Sequence, residues 1–136
     1  MRSRSLIALF IVGAIMGCSR SDSAEGVADQ FVQAYYVQID QARALEFTTG
    51  LAHQRLQDEL QRVLQLRGGR SLELARPKVA YALSRAQAEG RQVLLVYDLT
   101  VSPPQVAPIL KKILIITEQL GERWKVINFT ETDAHP

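Results

Sequence analysis

After residue 70 the apolar residues of this chain stop recurring every three or four positions and begin to alternate, and this change of period constrains the fold more than any other feature. Val93, Leu95, Tyr97, Leu99 and Val101 occupy every second position, opposed by Gln92, Leu94, Val96, Asp98, Thr100 and Ser102. That pattern predicts a strand with one buried face. Val79, Tyr81 and Leu83 alternate likewise with Ala80, Ala82 and Ser84, and Glu89-Gly90-Arg91 supplies the turn between the two. Pro103, Pro104 and Pro108 lack the amide that a ladder needs and mark a loop. Lys111 to Glu118 predicts a third strand, Gly121 a turn, Trp124 to Thr130 a fourth strand, and 132–136 a frayed tail.

Before residue 70 the pattern is helical. Asp22 with Glu25 three residues on has the form of a capping box, which starts a helix. Val27, Phe31, Ala34 or Tyr35, and Gln38 or Ile39 then share an apolar face, with Asp29, Gln30 and Gln33 opposite. Asp40 is placed to cap a short second helix through Ala44, Leu45 and Phe47, ended or bent by Thr48-Thr49-Gly50. Leu56, Leu60, Val63 and Leu64 form a third stripe, and Gly68-Gly69 stops that helix after the cation Arg67. Three helices followed by a four-stranded meander predict an α+β fold, with helices on one face of an antiparallel sheet, as a single domain over 24–131.

The N-terminus carries a different signal. Arg2 and Arg4 precede an apolar run from Leu6 to Gly17, about a dozen residues where a membrane span needs roughly 20, so the segment reads as a signal peptide. Ile15-Met16-Gly17-Cys18 resembles the lipobox of bacterial lipoproteins, although Met16 stands where a smaller residue is usual. The resemblance implies removal of 1–17, acylation of Cys18 and a short tether over 18–23. Several acyl chains on one residue make a stable anchor, because each buried methylene contributes about 0.8 kcal/mol. Ser19 after the cysteine is compatible with the periplasmic face of the outer membrane in a Gram-negative host. Cys18 is the only cysteine, so no disulfide supports the fold.

Removing the leader also changes the charge. The sixteen Lys and Arg fall to fourteen, against fourteen Asp and Glu, so the mature chain is formally neutral. Nucleic-acid binding, which requires a surplus of cations, is not supported.

The order of elements resembles the nuclear transport factor two-like (cystatin-like) superfamily, on the residues Val27-Ala-Asp-Gln-Phe-Val-Gln-Ala-Tyr-Tyr36, the Asp40-x-Ala42 helix start and Gly121-Glu-Arg-Trp-Lys-Val-Ile-Asn-Phe129. It implies helices lying in the concave face of a curved, cone-like sheet and carries no catalytic residue across. Tyr35, His53, Tyr81 and Tyr97 are the candidates to line such a cone. His53 shares a stripe with Leu56 and Leu60, but no His or Glu follows at the spacing of a helical metal site. Asp98 is isolated, and an acid or base needs burial or a partner to tune it. Arg55, Arg62, Arg67 and Arg70 alternate with acids as a solvated helix face does.

The third and fourth strands carry large apolar groups at both parities, Ile113 and Ile115 against Leu114 and Ile116, and Trp124 and Val126 against Ile127 and Phe129. Helices cover only one face, so the other suits a homodimer or an envelope protein partner. No motif implies a cofactor. The sequence therefore points to a membrane-anchored envelope lipoprotein, a non-catalytic binding or assembly module for a partner protein or small apolar ligand. An enzyme of the ketosteroid-isomerase or polyketide-cyclase kind and a structural spacer are the alternatives.

Overall fold

The computed structural model describes residues 23–67 and 76–134. The leader, the lipobox with Cys18, Asp22, Gly68-Gly69, Arg70 and His135 lie outside these residues. Helix α1 (Ala24–Val32) takes Ser23 as its N-cap, one residue later than the capping pattern suggests. The extended backbone of Ser23 lets its Oγ accept the Gly26 N–H at 2.9 Å. Val27, Ala28, Phe31 and Val32 are buried along one face, and full burial of a Val or Phe side chain stabilises by about 1.5–3 kcal/mol.

The helix then widens into a π turn, Gln33–Val37, closed by Gln38 N–H to Gln33 O at 2.9 Å. The wider turn rotates the residues that follow. Ala34 stays buried and Tyr35 and Tyr36 both pack against the core, while Gln38 and Ile39, expected on the apolar face, are exposed. Asp40 caps α2 (Gln41–Leu45) as the sequence predicts, its Oδ1 accepting Arg43 N–H at 3.0 Å. Helix α3 (Gly50–Arg67) buries Ala52 and Leu56, but Leu64 farther along the same stripe is 62 % exposed. Arg55 pins its packed half to the sheet by donating to Phe129 O at 2.9 Å, with the guanidinium 4.7 Å from the Phe129 ring centre.

Strands β1 (Lys78–Glu89), β2 (Gln92–Ser102), β3 (Ile109–Leu120) and β4 (Arg123–Asp133) pair antiparallel in chain order. The α+β class, with helices packed on a curved open sheet, is the one the change of period predicts. Gly90 and Gly121, with φ of +60° and +65°, stand first in the two-residue turns of the β1–β2 and β3–β4 hairpins, where a type II′ turn requires positive φ. The strands run longer than expected, and Thr132 and Asp133 of the anticipated tail pair with Lys112 and Lys111.

A bulge in β4 resolves part of the double parity seen in the sequence. Thr117 pairs with Val126 and Ile116 with Asn128, so Ile127 is the extra residue. Val126 and Phe129, three apart, consequently both face the core. With Leu95, Tyr97, Leu99, Ile113 and Ile115 they form the sheet side of the interior. The opposite face keeps an aliphatic square, Val96 opposite Leu114 and Leu94 opposite Ile116, next to the exposed Asp98–Lys112 ion pair at 2.9 Å. Residues 47–49 cover part of the free edge of β4, with Val126 N–H to Phe47 O at 2.8 Å and Thr49 N–H to Val126 O at 2.9 Å.

Candidate functional site

Helix α1 packs over β2, β3 and β4, and β1 reaches it only through long side chains. That offset opens a cleft of about 510 Å³ between the start of α1 and the first hairpin, within the size range of small-molecule sites. Glu25 and Asp29, one helical turn apart on α1, line one wall, and Tyr81, Leu83 and Tyr97 line the other. Strand alternation places Tyr81, Leu83 and Tyr97 on the inner face, with Leu83 directly opposite Tyr97. The two tyrosine rings lie 6.0 Å apart at a tilt of 59°.

Tyr81 donates its hydroxyl proton to Asp29 Oδ1 at 2.9 Å, with Gln33 Oε1 beside it at 3.2 Å. Tyr97 is only 2 % exposed. Burial first, then the negative charge of Asp29, then Tyr81 and Glu25 raise its phenol pKa well above the usual tyrosine value, so the hydroxyl stays neutral. Among the described residues that line the cleft, none is cationic.

The four sequence candidates do not converge on one place. Tyr81 and Tyr97 share the cleft. Tyr35 belongs to an aromatic plug in the core, stacked on Phe31 at 5.5 Å, edge-on to Tyr36 at 4.7 Å and to Phe129 at 5.3 Å. Its hydroxyl donates to Glu59 at 2.9 Å. Desolvation, then this bond, raise its pKa, and desolvation followed by the charge of Glu131 does the same for Tyr36. The buried Tyr36 hydroxyl has no hydrogen-bond partner among the described residues.

His53 stands apart at the start of α3, its Nδ1 3.1 Å from Thr48 Oγ1. The Thr48 hydroxyl has one proton, which goes to Leu45 O at 2.9 Å, so His53 is the donor in the Thr48 contact. No family model matches the chain, and no curated protein matches it. Among the described residues, no group of three His, Cys, Asp or Glu side chains could hold a metal ion, and no helix is long and apolar enough to cross a membrane.

Sequence reasoning placed Asp29 and Gln33 opposite the apolar face of α1 and took Glu25 only as part of a capping box, so it missed all three at the cleft. Their spacing of four was the available signal: it marks a polar stripe that can face a strand as well as water.

Proposed function

We propose that this chain is a lipid-anchored protein of the bacterial cell envelope whose domain is a non-catalytic binding or assembly module. The lipobox resemblance at Ile15-Met16-Gly17-Cys18 supports the anchor. The observation that carries the reading is that Ser23, at the rim of the cleft, stands five residues after Cys18. Fully extended, that tether spans about 18 Å, so the cleft works at the membrane surface. The arrangement of helices on a curved sheet supports kinship with the nuclear transport factor two-like superfamily, and the outer membrane is the compartment proposed for a Gram-negative host.

A second copy is the partner proposed for the outer sheet face. The rim of the aliphatic square carries both signs, Arg85 and Lys112 with Glu89 and Asp98, as a self-complementary contact requires.

Fractionation with mass spectrometry tests the anchor. The native protein is expected in membranes with an acylated Cys18, and Cys18→Ala is expected to leave the membrane fraction or to keep its leader. Full membrane retention of Cys18→Ala with the leader removed would overturn the reading.

One observation favours an enzyme instead: the Tyr81 hydroxyl and Asp29 carboxylate lie 2.9 Å apart at an open cleft, a pairing suited to proton transfer. Against it, Phe31, Tyr35, Tyr36 and Phe129 fill the part of the concave face where a deeper cavity would lie.

A further inference from the structure

We infer that the pocket between α1 and α2 is a recognition site for a small amino-acid zwitterion, its ammonium held by Asp29 and Gln30 on one wall and its carboxylate by Arg43 on the other. The inference rests on the binding-module reading and names a ligand class for it.

The pocket has a volume of about 230 Å³, below the usual range for drug-sized ligands, so its occupant is small. Asp29, Gln30 and Gln33 line it from α1 and the π turn, and Arg43 and Phe47 line it from α2 and the residues just after it. The two walls differ in sign. Asp29 and Arg43 nevertheless make no ion pair with each other; the ion pairs among the described residues are Lys111–Glu131 and Lys112–Asp98. A carboxylate and a guanidinium thus stand in one pocket with room between them. The independent observation is Gln30. Its Oε1 is buried and has no hydrogen-bond partner among the described residues, where a buried acceptor is normally satisfied.

These groups define the ligand that fits them. Gln30 Oε1 needs an N–H donor. Tyr81 takes Asp29 Oδ1 and leaves Oδ2 to accept as well. An ammonium supplies three donors and the positive charge that complements Asp29. On the other wall the Arg43 guanidinium carbon lies 6.0 Å from the centre of the Phe47 ring, and a guanidinium held over a ring keeps its planar fork for a carboxylate. A mono-cation would leave Arg43 unmet. A mono-anion would meet Asp29 with like charge and leave Gln30 Oε1 without its donor. One small molecule carrying both charges satisfies all three residues, with Ala34 and Phe47 beside its carbon chain. An α-amino acid and a longer ω-amino acid both carry that pair of charges, and the test separates them.

The test uses the full-length protein in a non-ionic detergent, isotope-labelled at its glutamine side chains, with NMR spectra as the readout. L-alanine, γ-aminobutyrate, ethylamine and propionate are titrated in turn. At least one of the two amino acids is expected to shift the Gln30 and Gln33 side-chain amide signals with a Kd of about 1 mM or tighter, and the tighter of the two sets the spacing of the charges. Ethylamine and propionate each keep one charge and are expected to bind at least about tenfold more weakly. Gln30→Met keeps the shape and removes the orphan acceptor, so amino-acid binding is expected to weaken about tenfold while the melting temperature holds or rises. Arg43 is exposed, so Arg43→Gln gives a reading in a folded protein should Gln30→Met unfold it; it is expected to weaken the amino acid about tenfold and to leave ethylamine binding unchanged. Absence of shifts with both amino acids at about 10 mM, ethylamine or propionate binding as tightly as the amino acid, or an amino-acid affinity unchanged by either folded variant would each overturn the assignment. Fractionation of Cys18→Ala reports on anchoring alone, so failure of either proposal is visible separately.

Discussion

Tyr81 and Asp29, 52 residues apart in the chain, meet at 2.9 Å, and their hydrogen bond ties the edge strand β1 to helix α1. Tyr81→Phe retains the ring beside Tyr97 but removes a donor to a charged acceptor, and is expected to cost about 1–3 kcal/mol. Asp29→Asn keeps an oxygen that accepts the same proton and is expected to cost less. Urea denaturation of the two variants checks the order; an equal loss would mean that the Asp29 charge, rather than the bond, holds the strand.

Tyr35, Tyr36 and Tyr97 give the fold an alkaline limit. Burial raises all three phenols above the ordinary value of 10.0. Below pH 10 both folded and unfolded chains hold these protons, and the stabilisation is fully present. As pH rises past 10 the unfolded chain releases protons that the folded chain keeps, so stability falls by about 1.4 kcal/mol per pH unit for each such tyrosine. Denaturation midpoints from pH 8 to 11.5 are expected to be flat and then to drop steeply. Phenolate absorbance should rise together with unfolding; its completion in the folded protein would contradict the burial of these groups.

Leu56 and Leu64 lie on one sequence stripe but in different surroundings, fully buried against 62 % exposed. Leu56→Ala is expected to cost about 2–5 kcal/mol and Leu64→Ala less than about 0.5 kcal/mol. Thermal melts of the two variants decide this, and comparable losses would show that the far half of α3 is packed in solution.

The Gly121 turn depends on backbone conformation alone. Nothing lies within 4 Å of the place a Cβ would take, yet φ is +65°. Gly121→Ala is therefore expected to cost about 1–2 kcal/mol with no change in packing, as a lower melting temperature with an unaltered near-ultraviolet spectrum would show.

Much of the fold was legible because it follows from period. The β2 alternation from Val93 to Val101 named its inner face correctly, and Asp40 named its own helix start. What stayed hidden depended on a change of phase. The π turn at Gln33–Val37 moves Gln38 and Ile39 to the surface, and Ile127 is spare in β4, and neither leaves a composition signal. The cleft was half legible. Tyr81 and Tyr97 stand out as aromatics on an inner face, whereas Asp29 joins them only because α1 sits across β2 to β4 and leaves β1 uncovered.

The packing of α3 has a consequence for how this chain can change over generations. Beyond Leu60 the helix persists on the intrinsic preference of residues such as Gln61, Arg62, Leu64 and Gln65 rather than on burial. A substitution there alters little of the total stability, while one at Ala52 or Leu56 strikes the core. The outer turns of α3 are thus the part of the molecule where new surface chemistry can be tried at little risk to the fold, with the cleft behind α1 left untouched.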